Sequence, residues 1–176
     1  MIDLKRTYKI CTNTFAIGDI IELGSGITAT CQKITNGGEY ALFILDQYLD
    51  EAKTHEDAQP YMNQLFAESE IFDRVKDLIV PFKSGNALRL PYTEEFFGPL
   101  DCVIPSGKEQ WPLMKDRRNR IASRKAKEYE WGWLMNQHKE FASYFAIVDA
   151  YGYSYCFSAS YTSGVRPVFR LRNADV

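Results

Sequence analysis

Trp131-Gly132-Trp133-Leu134 and, thirty residues on, Gly164-Val165-Arg166-Pro167-Val168-Phe169-Arg170-Leu171 bracket the stretch that decides the fold. Between them lie Tyr144-Phe145-Ala146-Ile147-Val148 and Tyr153-Ser154-Tyr155-Cys156-Phe157-Ser158, joined across Asp149-Ala150-Tyr151-Gly152. Both runs are rich in β-branched and aromatic residues, and Asp and Gly at their junction supply a tight turn, so the pair reads as a hairpin. Val165 to Leu171 is a last strand, with Pro167 at an edge or bulge because it has no N–H to give a ladder.

Working outward, residues 14–23 and 27–34 flank Gly24-Ser25-Gly26 and read as a second hairpin. Tyr40-Ala41-Leu42-Phe43-Ile44-Leu45 suits a buried central strand. From Pro60 to Leu78 the apolar residues recur mostly at three and four, which predicts one or two amphipathic helices stopped by Pro81. Leu88-Arg89-Leu90-Pro91 is extended and is followed by Thr93 as a helix N-cap, with Glu94 and Glu95 in the first turn and Gly98 at the stop. Adjacent helical residues point about 100° apart, so the two glutamates read as capping groups and not as an acid/base pair. Strands, then helices, then strands again give an α+β domain of mostly antiparallel sheet with two or more flanking helices. One domain over residues 1–176 is expected, its core about 14–171, with the N- and C-terminal strands paired.

The block from Trp131 to Leu134, the two strands and the Gly164-Val165-Arg166-Pro167 ending together resemble a domain family of Firmicutes and their phages. That family typically ends in tryptophan-leucine-arginine-serine followed by glycine-valine-arginine-proline. It resembles in turn the C-type-lectin-like superfamily, which holds formylglycine-generating enzymes and the variable proteins of diversity-generating retroelements. Ile17-Gly18-Asp19, Ala41-Leu42-Phe43-Ile44 and Leu88-Arg89-Leu90-Pro91 fit in the same order. The resemblance implies a C-type-lectin-like fold, with Trp131, Trp133, Gly164, Val165, Arg166 and Pro167 as its structural signature. Arg166 is expected inside the fold, held by carbonyls or a carboxylate, since a buried guanidinium must be paired. Met135 and Asn136 stand where the family has arginine and serine, so no role of those two side chains carries over.

The chemistry of known relatives finds few residues here. Four cysteines (Cys11, Cys31, Cys102, Cys156) are scattered without a CxxC pair and are read as reduced and mostly buried. Formylglycine-generating relatives use a cysteine pair, for which only Cys156 and Cys102 offer themselves. His55 and His138 are the only histidines, too few for an iron site, and His138 reads as a surface residue. Gln59-Pro60 leads into Tyr61, and no Trp-Asn-Asp completes a calcium-dependent sugar site. The expectation is no catalytic residue, no cofactor and no metal. No apolar run of signal-peptide or membrane-spanning length appears, so cytoplasmic synthesis is expected, with later association with a virion if the chain is phage encoded.

Two stretches remain as binding candidates. Lys115 to Lys127 holds Arg117, Arg118, Arg120 and four further cations, while the remainder of the chain is acidic. It reads as a solvated helix with a narrow apolar face of Ile121, Ala122 and Ala126, or as a contact for phosphates or an acidic protein surface. Residues 143–163 are rich in tyrosine and serine, a composition of binding loops. Asp149, Tyr151, Tyr153, Tyr155 and Tyr161 are the candidates there. The leading expectation is a non-enzymatic binding module of phage or prophage origin, virion-associated or contacting a protein or cell-surface ligand. An intracellular phage effector that inhibits a host defence complex through the basic helix is the alternative, with nucleic acid as a further partner through residues 115–127. A formylglycine-generating type of enzyme comes third.

Overall fold

A computed structural model describes residues 14–124 and 129–173. Its strands are β1 (Ile20–Glu22), β2 (Thr28–Thr35), β3 (Tyr40–Leu45), β4 (Gly132–Gln137), β5 (Tyr144–Val148), β6 (Ser154–Ser158) and β7 (Val168–Arg172). The helices are α1 (His55–Glu68) and the short α2 (Thr93–Phe97). Every ladder is antiparallel, in a four-stranded sheet ordered β1-β2-β3-β7 and a three-stranded sheet ordered β4-β5-β6. The class is therefore α+β, as the order of elements predicts.

The terminal strands share a sheet without pairing, which corrects the sequence expectation. β7 pairs with β3, and β1 lies at the opposite edge. The two ends of the chain still meet, because Phe15 N–H donates to Asn173 Oδ1 at 2.6 Å and the Phe15 ring sits edge-on to Phe43 at 5.1 Å. The first helix also departs from its predicted span. It starts at His55, where Thr54 accepts from Asp57 N–H and Glu56 and Asp57 face the positive end of the dipole. Pro60 falls inside it, on the exposed side, where the missing N–H deprives only the exposed Glu56 carbonyl. Past Ser69 the predicted continuation is a pair of 3-10 turns, Glu70–Phe72 and Lys76–Leu78. In α2 the cap is Tyr92, one residue before the expected Thr93, with Glu95 accepting from the Tyr92 N–H at 2.8 Å.

Alternation along the strands feeds two cores. Phe43, Phe169 and Phe72 join Trp133 and Ile147 on one side, with Phe43 stacked on Phe169 at 5.7 Å. Ile44 and Val168 join Leu134, Ala146, Phe96 and Trp111 on the other. The sheets meet where Gly132 bridges Gly164, with Trp133 N–H donating to the Gly164 carbonyl at 3.0 Å and Gly164 N–H to the Trp131 carbonyl at 2.8 Å. The buried Tyr48 ring covers both glycines. A Cβ on Gly132 would lie 2.4 Å from that ring, and one on Gly164 2.7 Å. Glycine is required by this close approach.

The Tyr48 hydroxyl is buried without a hydrogen-bond partner among the described residues. Removing it therefore costs no interaction, whereas adding a methyl group at either glycine forces the ring out of a packed site. Gly132→Ala and Gly164→Ala are each expected to destabilise the protein by about 1–3 kcal/mol, and Tyr48→Phe by less than about 1 kcal/mol. Urea unfolding of the three variants checks this order; a neutral Gly132→Ala contradicts it.

Candidate functional site

β6 is an edge strand of the three-stranded sheet. Asp149 N–H donates to the Tyr153 carbonyl and Ala159 N–H to the Ser143 carbonyl, each at 2.8 Å. With the β5 register of Ile147 opposite Tyr155, this pattern turns residues 153, 155 and 157 toward β5 and leaves Ser154, Cys156 and Ser158 with N–H groups directed outward. The side chains of Tyr155 and Phe157 then share one face. Trp131 stands edge-on to Phe157 at 5.2 Å, Tyr161 lies 4.7 Å from Phe157, and Tyr155 is 6.2 Å from Trp131. Tyr155 and Tyr161 remain 58% and 59% exposed and Trp131 40%, so these three rings form an aromatic surface around Phe157, which is half-buried against the core. Trp131 thus lies at this surface, whereas Trp133 is fully buried with Nε1–H donating to the Lys53 carbonyl at 2.7 Å.

The turn before β6 is built by Asp149, whose Oδ1 accepts from Tyr151 N–H at 2.8 Å and Tyr153 N–H at 2.9 Å. Its task is to shape the loop, which holds Tyr151 and Tyr153 in solvent at 70% and 56% exposure. Gly152 takes φ +83°, and a Cβ there would be 2.8 Å from Arg117. Arg117 donates from Nη1 to the Tyr151 carbonyl at 2.6 Å and lies over the Tyr153 ring at 5.1 Å. The basic run and the tyrosine turn, separate in sequence, form one surface.

That run is not the α-helix its sequence predicts. Among its described residues, Lys115 ends one 3-10 turn (Pro112–Lys115), Arg117–Arg120 forms another, and Ile121 leaves it extended. The carbonyls of Asn119 and Arg120, which an α-helix would give to later N–H groups, accept instead from the Arg166 guanidinium, and the Ser123 carbonyl accepts from Tyr48 N–H. Arg166 also donates from Nε to the Leu45 carbonyl at 2.6 Å, so of the two expected kinds of partner it takes carbonyls. Arg118 is exposed and forks onto Asp116; the guanidinium hydrogen bonds hold the Asp116 carboxyl down at about 2. Arg120 is half-buried over Phe97 at 4.7 Å and belongs to the framework more than to the surface. Lys125, Ala126 and Lys127 lie outside the described residues, as does Cys11.

Several buried polar groups position these elements. The buried Asn136 accepts from Thr93 N–H at 2.8 Å and donates to Glu94 at 2.9 Å and to the Ile104 carbonyl. Burial alone would raise Glu94, but hydrogen bonds from Ser106 and Asn136 hold its carboxyl below the ordinary value. The described cysteines are less buried than expected: Cys31 is buried, but Cys102 is exposed and its thiol meets half-buried Cys156 of β6. Burial and the adjacent Cys102 thiol push Cys156 up to about 12, the opposite of thiolate activation. His138 is half-buried, and its Nδ1 accepts from Glu140 and Phe141 N–H groups, which makes it a turn anchor. Among the described residues no three His, Cys, Asp or Glu side chains converge as metal ligands, and no helix is long and apolar enough to cross a membrane.

Compared with known proteins, the chain matches neither any family model nor any curated sequence.

His55 supports the aromatic face from beneath. Its ring stacks on Phe145 at 3.6 Å, its Nε2 bonds the Leu134 carbonyl at 3.1 Å and its backbone N–H donates to the Ala159 carbonyl just past β6. Burial lowers its pKa from 6.5. A base depressed in the folded state binds fewer protons there than when unfolded, so its contribution is complete above pH 6.5 and declines as pH falls below it. The melting temperature is expected to drop between pH 7 and 5, with a shallower drop in His55→Gln, whose amide can still donate but does not titrate. An equal slope in both proteins would remove His55 from this role.

Proposed function

We propose that this domain is a non-enzymatic protein-binding module whose partner lays an extended segment along the open edge of β6. The observation that carries the reading is the outward-directed backbone of Ser154 and Cys156, with the Ser158 N–H, beside the exposed rings of Trp131, Tyr155 and Tyr161 that gather around half-buried Phe157. An unpaired edge offers main-chain hydrogen bonds in register, and flanking aromatic side chains supply area and selectivity. Tyrosine, tryptophan and arginine are the residue types that dominate binding hot spots, and Arg117 with Tyr153 extends the patch at one end. The basic run enters the proposal as part of this face. The phage or prophage setting, virion-associated or receptor-contacting, rests on the resemblance alone, carried chiefly by the Trp131 to Leu134 block and the Gly164 to Pro167 ending.

A library of random linear peptides panned on the protein tests the proposal. Selected peptides are expected to shift the amide resonances of residues 154–158, and Trp131→Ala/Tyr155→Ala/Tyr161→Ala should weaken them at least about tenfold, or about 1.4 kcal/mol. The melting temperature should stay within a few degrees, since all three rings are exposed. Peptides that perturb another surface and bind the triple variant unchanged would overturn the reading.

A further inference from the structure

A second concave surface lies away from β6, between the loop carrying Phe82 and Lys83, the extended Arg89 to Tyr92 piece and the loop carrying Lys108 and Glu109. Its cavity measures about 910 Å³, at the upper end of the range for small-molecule sites. Arg89, Lys33, Lys83, Lys108 and Arg170 line it, against two carboxylates, Glu95 and Glu109. Both carboxylates are already matched. Glu95 takes Arg89 in a buried two-point ion pair at 2.6 and 2.9 Å, and Glu109 meets Lys33 at 3.4 Å. Lys83, Lys108 and Arg170 have no carboxylate partner among the described residues. The chain as a whole has a net charge of −2, so this local excess of cation is not a property of the surface at large.

The cations are held in a row by aromatic rings. Arg170 lies over Tyr40 at 4.6 Å and over Phe82 at 5.3 Å, Arg89 is 4.8 Å from both Phe82 and Tyr92, and Lys108 lies 5.6 Å from Tyr92. Ring and cation thus alternate along the wall. Arg170 is fixed further by donating from Nε and Nη2 to the carbonyls of Val80 and Pro81. Like charges spaced by rings repel one another across the cleft, and a ligand with several linked negative charges relieves that repulsion at once. Arginine offers a planar fork and lysine a mobile point charge, the two usual partners of phosphate oxygens. The ring faces are taken up by the cations, which leaves the charged groups as the recognition elements.

From this geometry we infer that the cleft binds an oligophosphate, a chain of linked phosphates either free or carried by a nucleoside, through Lys83, Lys108 and Arg170. This site is independent of the β6 edge. Titration calorimetry at low salt with inorganic triphosphate and, separately, with ATP tests it. One saturable site is expected, weakened at least tenfold by Lys83→Glu/Lys108→Glu, both exposed positions whose variant should keep the wild-type circular dichroism. Arg118→Glu, a charge reversal outside the cleft, should leave binding unchanged. Equal affinity for the two probes means that the phosphate chain alone is read; tighter ATP binding means that the cleft also takes the nucleoside. Absence of saturation by either probe, an equal loss in Arg118→Glu, or binding confined to single-stranded oligonucleotides would overturn the inference.

Discussion

The packing of Tyr48 against Gly132 and Gly164 is the constraint on which the other features depend. The ring can lie there only because neither residue has a Cβ, and its presence brings the start of β4 and the approach to β7 close enough to exchange hydrogen bonds. Leu49 N–H reaches the Val165 carbonyl, and Lys53 and Ser163 exchange two bonds a few residues on. Arg166 then lies beneath the joint, tying Leu45 at the end of β3 to the 3-10 turn of the basic run. Burial disfavours its charged form, so the carbonyls around it are a requirement of the fold.

The position of the surface residues follows from that joint. With β4 fixed by Trp133 and Gly164, β5 and β6 extend outward until, past Phe157, which still packs against the first core, the side chains at the far edge have no layer left to cover them. Tyr155, Phe157, Tyr161 and Trp131 therefore cover one another. The same placement of Arg166 straightens the chain after Arg120 and brings Arg117 onto the Tyr151 to Tyr153 turn. A structural arginine thus decides how Arg117 and its neighbours are displayed.

The sequence was most legible where the determinants were local. Asp149 and Gly152 specify their turn by side-chain hydrogen bonds and a positive φ, and the strands on either side follow from alternation; β3 and the broken helical region were readable on the same grounds. What depended on tertiary partners was not. Nothing near Arg117 to Arg120 reveals that Arg166, more than forty residues later, takes the carbonyls a helix needs. Nothing in the sequence around Asn136 marks it as the group that joins α2 to β4. Trp131 and Trp133 look alike in sequence and, two residues apart, fall on one face; Trp133 is buried because it lies within β4 against His55 and the Lys53 carbonyl, whereas Trp131 precedes the strand. The meeting of Cys102 with Cys156 likewise depends on how the loop after α2 crosses the sheet.

If the Tyr48 joint makes the two sheets one cooperative unit that presents a preformed face, native-state hydrogen exchange measures it directly. The amides of Leu49, Trp133 and Gly164, which bridge the two sheets, should exchange only through global unfolding, with the same free energy as the central amides of β3 and β5. Exchange of β4, β5 and β6 as a separate unit, at a free energy clearly below that of β3 and β7, would contradict the account.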